Sequence, residues 1–238
     1  MSVITLSRQL GSHGEEVATT VARALSLRLI DADAINRAAE KAGVPQVALV
    51  EMEPDRERTL TNRVINALHA MPPISPISDS GAFRSDFPGV TLPFTGLFST
   101  TVPPISAWFD SYVRMVELVI RGLAREGDVM IVGRGAQVVL RKHPDVLHVQ
   151  IVAPASHRVS VLMARHGLNK REAQNRIRAS DRARSDYVRR YHDANWLDPT
   201  LYNLTLNTSR VEIPLAADVV IRMVRAMAGN RPSARQDE

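Results

Sequence analysis

The stretch SRQLGSHGEE, residues 7–16, gathers the kinds of groups that hold an anion. Gly11 and Gly14 let backbone N–H groups turn toward one point, and Ser12 and His13 add side-chain donors. A helix that begins just after such a loop contributes the partial positive charge of its N-terminus. The chemistry that suits this pattern is the cradling of a phosphate. A plain strand-to-helix turn with two glycines reads the same way, so other residues must decide. Glu15 and Glu16 suit the first turn of a helix, but they repel a phosphate unless a cation intervenes.

Arginine is the other chemical signal. Arg134 lies in Val132-Gly133-Arg134-Gly135, directly after an apolar run. That places it at the carboxyl end of a strand, where open α/β sheets bind ligands. Further on, Arg176, Arg178, Arg182, Arg184, Arg189 and Arg190 spread around a helical stretch, with Tyr187, Tyr191 and Trp196 interleaved. The cluster suits a grip on phosphates, a solvated basic face, or stacking on a single-stranded nucleic acid. The chain has no cysteine, which excludes disulfides, thiol nucleophiles and thiolate metal sites. Its seven histidines show no metal-binding spacing on one helix.

These residues need a scaffold, and the hydrophobic pattern supplies one. An apolar strand over 3–6 leads into the loop, and a helix over 14–26 follows with Val17, Val21 and Leu25 on one face. A second short strand covers 28–30. Helices are predicted over 32–42, 55–70, 155–166 and 170–190, and strands over 129–132, 147–153 and 201–206. Trp108, Tyr112, Met115, Val119 and Leu123 mark a further amphipathic helix, ended by Gly127 and Asp128. Pro214 suits the first turn of a last helix that runs to about 228. Strand, loop, helix, strand predicts a parallel α/β sheet. Residues 72–104, rich in Pro, Ser, Gly and Thr, form an insertion, and 231–238 a disordered tail; residues 1–230 then make one domain.

The chain of 238 residues is 45% apolar and 23% charged, a globular balance with a net charge of +5 that favours anionic partners. No apolar run is long enough for a bilayer and the N-terminus has no signal-peptide pattern, so no membrane partner is expected. The lack of cysteine fits a cytoplasmic protein. The stripe on the Trp108 helix suits burial in the chain's own core or, alternatively, a homodimer.

The run VITLSRQLGSHGEEVATTVARALSLRLIDADAINR resembles the start of bacterial cytidylate kinases, and more closely the cytidylate kinase-like family. The likeness continues in VGRGAQVVL (132–140) and DRARSDYVRRYHDANWLDPTLYNLTLNT (181–208), leaving about 45–106 without a clear counterpart. The resemblance implies a P-loop fold with a monophosphate-binding insertion and a mobile lid, here the basic segment 170–198. It implies phosphoryl transfer from ATP or another nucleoside triphosphate, with Mg²⁺, to a nucleoside monophosphate or similar acceptor. Aligned without gaps, the Walker lysine position is Gly14 and the magnesium-binding Ser/Thr position is Glu16. Arg8 is then the candidate replacement cation and Glu16 a candidate metal ligand. The loop residues Gly11, Ser12, His13, Gly14, Glu15 and Glu16 would hold the donor nucleotide, and Asp31, Asp33, Arg37 and Arg134 the acceptor. Arg8, Arg134, Arg182 and Arg184 would act on the transferring phosphoryl. The serine and glycine that the family carries after Asp31 are Ala32 and Asp33, and the aspartate of its Gly-Arg-Asp is Gly135, so acceptor recognition differs. A nucleotide-binding regulatory domain without turnover and a nucleic-acid-binding module remain the alternatives.

Overall fold

The computed structural model describes residues 1–41 and 105–229. The helix expected over 55–70, the 72–104 insertion, the 231–238 tail and the side chain of Trp108 lie outside the described residues.

Val3–Arg8 forms β1, Gly14–Ala24 α1, Arg28–Ile30 β2 and Ala32–Lys41 α2. Then come α3 (Ile105–Glu126), β3 (Val129–Val132), α4 (Ala136–Val139), β4 (Val146–Val152), α5 (Ala155–His166) and α6 (Lys170–His192). A 3₁₀ turn at Pro199–Leu201, β5 (Leu204–Asn207) and α7 (Ile213–Gly229) complete the described chain. The five strands pair in parallel, in the order β2-β3-β1-β4-β5. This is the α/β sheet flanked by helices that the strand–loop–helix pattern predicts.

The central strands read as continuous apolar runs because both faces of a parallel sheet are covered. On one face Ile4, Leu6, Met130, Val132, Leu147 and Val149 meet Val17 and Val21 of α1 and Ala216, Val220 and Val224 of α7. On the other, Val129 and Ile131 meet α3 and α4. The fully buried stripe of α3 is Tyr112, Val113, Val116 and Ile120. Met115, Val119 and Leu123 of the expected stripe are only half-buried beside it.

The basic helix α6 has low intrinsic hydrophobicity but a firm start. Asn169 accepts from the Glu172 backbone N–H at 3.0 Å, and the Glu172 carboxylate accepts from the Asn169 N–H at 2.9 Å. This reciprocal box satisfies orphan donors of the first turn. Ala173 and Ile177 then bury against Val159 and Leu162 of α5.

Several boundaries shift by one to three residues, among them β1, which runs on to Arg8, and one element is new. The last strand begins at Leu204, not 201, because the Asp198 carboxylate accepts from the Thr200 N–H and closes a 3₁₀ turn there. The short helix α4 went unread, since a run of this length cannot display a helical period. Among the described residues no helix is long and apolar enough to cross a membrane.

The order of strands positions the site. The chain leaves β1 for the edge strand β2, returns to β3 beside β1, and crosses to β4 on the other side. Connections therefore diverge at the carboxyl ends of β1 and β3, which opens a crevice there.

Candidate functional site

Arg8 closes β1, and its side chain crosses the loop instead of pointing to solvent. A Cβ added at Gly14 would lie 2.4 Å from the Arg8 Cβ and 3.0 Å from its Cγ. A Cβ added at Gly133 would lie 3.0 Å from the Arg8 Nη1. The guanidinium thus runs from the start of α1 to the loop after β3. Gly14 is the floor on which Arg8 lies, and no side chain fits there. Arg8 is 13% exposed, its Nη2 stands 3.3 Å from Glu15 Oε1, and its Nε has no hydrogen-bond partner among the described residues.

The remainder of the loop faces the other way. Ser12 is wholly buried, and its hydroxyl donates to the Gln9 and Ile151 carbonyls at 2.7 and 3.2 Å. Its own carbonyl accepts from Thr208 Oγ1 at 2.8 Å. Ser12 is a structural peg between β1, β4 and β5. His13 caps α1 in the left-handed region at φ 57° without a side-chain cap bond. Its Nδ1 lies 3.1 Å from Glu16 Oε1, and desolvation, reinforced by Arg165, lowers its pKa. Glu16 is ion-paired with Arg165 of α5.

At the end of β3, Gly133, Arg134 and Gly135 are all left-handed, at φ 82°, 55° and 69°. A non-glycine residue held there costs backbone strain, which concentrates at functional sites. At Gly135 an added Cβ would stand 2.9 Å from His192 Nε2 and 3.2 Å from Tyr187 Cε1. The space of the family's aspartate side chain is therefore filled by an imidazole and a phenol from α6. Burial pushes the His192 pKa down, and burial first, then Tyr112, pushes the Tyr187 phenol up.

These groups surround one cleft of about 460 Å³, lined by Arg8, Glu15, Asp31, Asp33, Arg134 and Arg184 among others. The expected Gly11, Ser12, His13, Gly14, Glu16, Arg37 and Arg182 do not line it. Arg37 and Arg182 are exposed. Asp31 has a second duty, since its Oδ1 accepts from the Ala34 N–H at 2.8 Å and caps α2.

The sequence reading missed Ser7, Gln137, Tyr187 and Val188 as parts of the cleft wall. Trp196 also reaches the cleft, as its floor. It is 2% exposed, and its indole N–H donates to Ser7 Oγ at 2.8 Å. Its carbonyl accepts from Tyr202 Oη and Gln150 Nε2. A ring so fixed is not a free stacking platform. The only signal for this was the recurrence of aromatic residues after the arginine cluster, which does not tell floor from surface.

Among solved structures, the chain is similar to that of an uncharacterized protein from Eubacterium ventriosum, with 16% identity over 95% of this chain and 99% of that one and a TM-score of 0.63. It also resembles shikimate kinases from Bacteroides thetaiotaomicron (11% identity, 94% and 98% covered, TM-score 0.47) and Acinetobacter baumannii (13%, 97% and 95%, 0.44). At these identities the likeness concerns the fold alone. No curated protein matches the chain. The family model for the cytidylate kinase-like family matches residues 3–210, including the stretch without a readable counterpart, and the chain belongs to that family.

Proposed function

We propose that this chain transfers a phosphoryl group from ATP or another nucleoside triphosphate to a nucleoside monophosphate or similar small acceptor. The observation that carries the reading is Arg8. A nearly buried guanidinium, with an unpartnered Nε, spans from the start of α1 to the β3 loop in the cleft at the sheet's switch point. It stands across the position where relatives of this fold carry a lysine, and it excludes a side chain there. Phosphoryl transfer needs positioning and charge stabilisation more than covalent help. Arg8 and Arg134 would hold phosphate oxygens from the strand ends, and Arg184 from α6.

When bound with the triphosphate, Mg²⁺ would supply neutralisation of phosphate charge beside these arginines. Among the described residues no cluster of His, Asp and Glu is placed to hold a metal by itself. Of the carboxylates that line the cleft, Asp33 would be the one to face an ion that keeps waters and phosphate ligands, since Glu15 contacts Arg8 and Asp31 caps α2. Glu16, the sequence candidate, is turned to Arg165 and away from that cleft. Asp33 would meet the acceptor from the cleft wall.

A second reading, nucleotide binding without turnover, is favoured by the Arg8–Glu15 contact, which already offsets part of the charge of Arg8. Nucleic-acid binding is disfavoured by the buried Trp196.

Calorimetry with ATP, GTP, CMP and dCMP, with and without Mg²⁺, followed by a coupled phosphotransfer assay on each pair that binds, separates these readings. Turnover is expected, and Arg8→Ala should lower kcat by about 100-fold while the unfolding midpoint stays put. Turnover unaffected by that variant would remove Arg8 from the mechanism. Triphosphate binding without turnover by any pair would favour the regulatory reading.

A further inference from the structure

Arg158 and Asp181 do not line the cleft, yet they connect two of its walls. We propose that Arg158 is a positioning residue: through Asp181 it fixes Arg184 relative to the phosphate loop, so that α6 is a docked wall of the site and not a swinging lid. The inference rests on the phosphotransferase reading for its functional meaning.

Arg158 lies in the first turn of α5 with its side chain 6% exposed. Its Nη1 and Nη2 donate to Oδ1 and Oδ2 of Asp181 at 3.0 and 2.8 Å, a fork-to-fork pair. Such pairing fixes orientation as well as distance, and a lysine cannot reproduce it. The same residue supports the loop. Its carbonyl oxygen and Cβ lie 2.9 and 3.2 Å from where a Cβ on Gly11 would stand, and Gly11 has φ 78°. Its Nη1 also points to the Leu10 carbonyl at 3.5 Å. One residue therefore touches the loop, through its backbone, Cβ and Nη1, and holds α6 through its guanidinium.

From Asp181 the path continues within α6. The preceding residue, Ser180, is wholly buried and accepts a hydrogen bond from Arg184. Arg184 lines the cleft one turn beyond Asp181. The helix is held elsewhere too: Ala173 and Ile177 bury against α5, and His192 Nδ1 stands 3.5 Å from Glu117 Oε1. The segment after it is tied to β1 through Trp196 and Ser7. Swinging α6 away as a unit would break the fork-to-fork pair and uncover the apolar contacts of Ala173 and Ile177 with α5 together.

The test is a double-mutant cycle. Asp181→Asn keeps the volume and removes the charge. The dissociation constant for MgATP is measured by calorimetry for this variant alone and combined with Arg184→Ala. Amide hydrogen exchange over residues 9–14 is followed in the ligand-free chain. Asp181→Asn should weaken MgATP about tenfold in the wild-type background and less than about twofold once Arg184 is alanine. Exchange in the loop should rise together with that of α6. Equal losses in both backgrounds, or faster exchange confined to α6, would overturn the proposal. Should Asp181→Asn fail to fold, Arg158→Lys, which keeps the charge and loses the fork, takes its place with the same expected pattern. If the wild-type chain binds no MgATP, the phosphotransferase reading falls, and the exchange experiment still decides whether loop and helix are coupled.

Discussion

The loop after β1 has two sides, and each presents an arginine. On the α5 side Arg158 is 6% exposed and both terminal nitrogens are matched to Asp181 at 3.0 and 2.8 Å. On the cleft side Arg8 is 13% exposed, and its contact is with Glu15 at 3.3 Å, a residue 67% exposed. Burying a charge is costly unless the chain supplies a partner. At Arg158 the chain matches both terminal nitrogens to one carboxylate and builds rigidity, although its Nε, like that of Arg8, has no partner among the described residues. At Arg8 the compensation is partial, which agrees with the proposed contact to a phosphate. Similar burial thus goes with a bidentate pair in one place and a single longer contact in the other, and the difference lies in the partner.

The comparison can be broken or sharpened at several points. A large effect is expected at the bidentate pair. Arg158→Met strips the pair and leaves the partly exposed Asp181 facing a buried apolar neighbour, a loss of about 2–3 kcal/mol in denaturant unfolding. Arg8→Met at the other side should cost far less stability, and a comparable loss at both would erase the distinction.

A buried imidazole in β4, opposite Thr5 of β1, allows the frame to be weakened without touching either arginine. His148 is 7% exposed, hydrogen-bonded to Thr5 Oγ1 at 2.7 Å, and desolvation lowers its pKa to about 4. The folded state favours the neutral ring. Stability is then complete above the unfolded pKa of 6.5 and drains as pH falls toward 4, by roughly 3 kcal/mol from this group. Unfolding measured between pH 7 and pH 4 should show this slope, and His148→Gln should flatten it.

Gly14→Ala probes the cleft side by steric means. Its Cβ would fall 2.4 Å from that of Arg8, so strand or helix must shift, at about 1–3 kcal/mol, with nucleotide affinity falling in parallel. An unchanged affinity would mean that the path of Arg8 does not matter. The smallest effect belongs to Glu16→Gln. With its carboxylate committed to Arg165 and His13, the loss in stability should stay below about 1 kcal/mol. The Mg²⁺ dependence of nucleotide binding should not move in calorimetry, whereas a metal ligand at Glu16 would make it collapse.

Much of the frame was legible because period and punctuation are local. The apolar runs at β1, β3 and β4, the glycines around the loop and Pro214 at the start of α7 each announce an element within a few residues. The capping box at Asn169 and Glu172 stood in the sequence as well, although only the arginine run was read. The site was legible in part. Arg8, Glu15, Asp31, Asp33, Arg134 and Arg184 converge as the motifs suggest. Ser12, His13 and Glu16 sit in the same motif and face away. Within a tight loop successive side chains diverge in direction, and spacing alone does not give which of them meets the cleft. Trp196 and Tyr187 were read as aromatic interleaving, but one is a buried floor and the other a cleft wall, which depends on how α6 returns to β1.

By itself, then, the sequence determined the order of the strands and of the longer described helices, the place of a glycine-bearing loop after β1 and the family to which these motifs belong. It also made plain that the loop's helix begins with glycine where a lysine is expected. Only the tertiary structure decided why. Arg8 occupies that space from the strand side, and residues 8 and 14 become one feature through a contact that no local pattern encodes. The same holds for Gly135 beneath His192 and Tyr187, and for Arg158 between Gly11 and Asp181. Each pairs residues that are distant in the chain or differently directed, and shape and charge complementarity between such residues exists only once the sheet has brought them together.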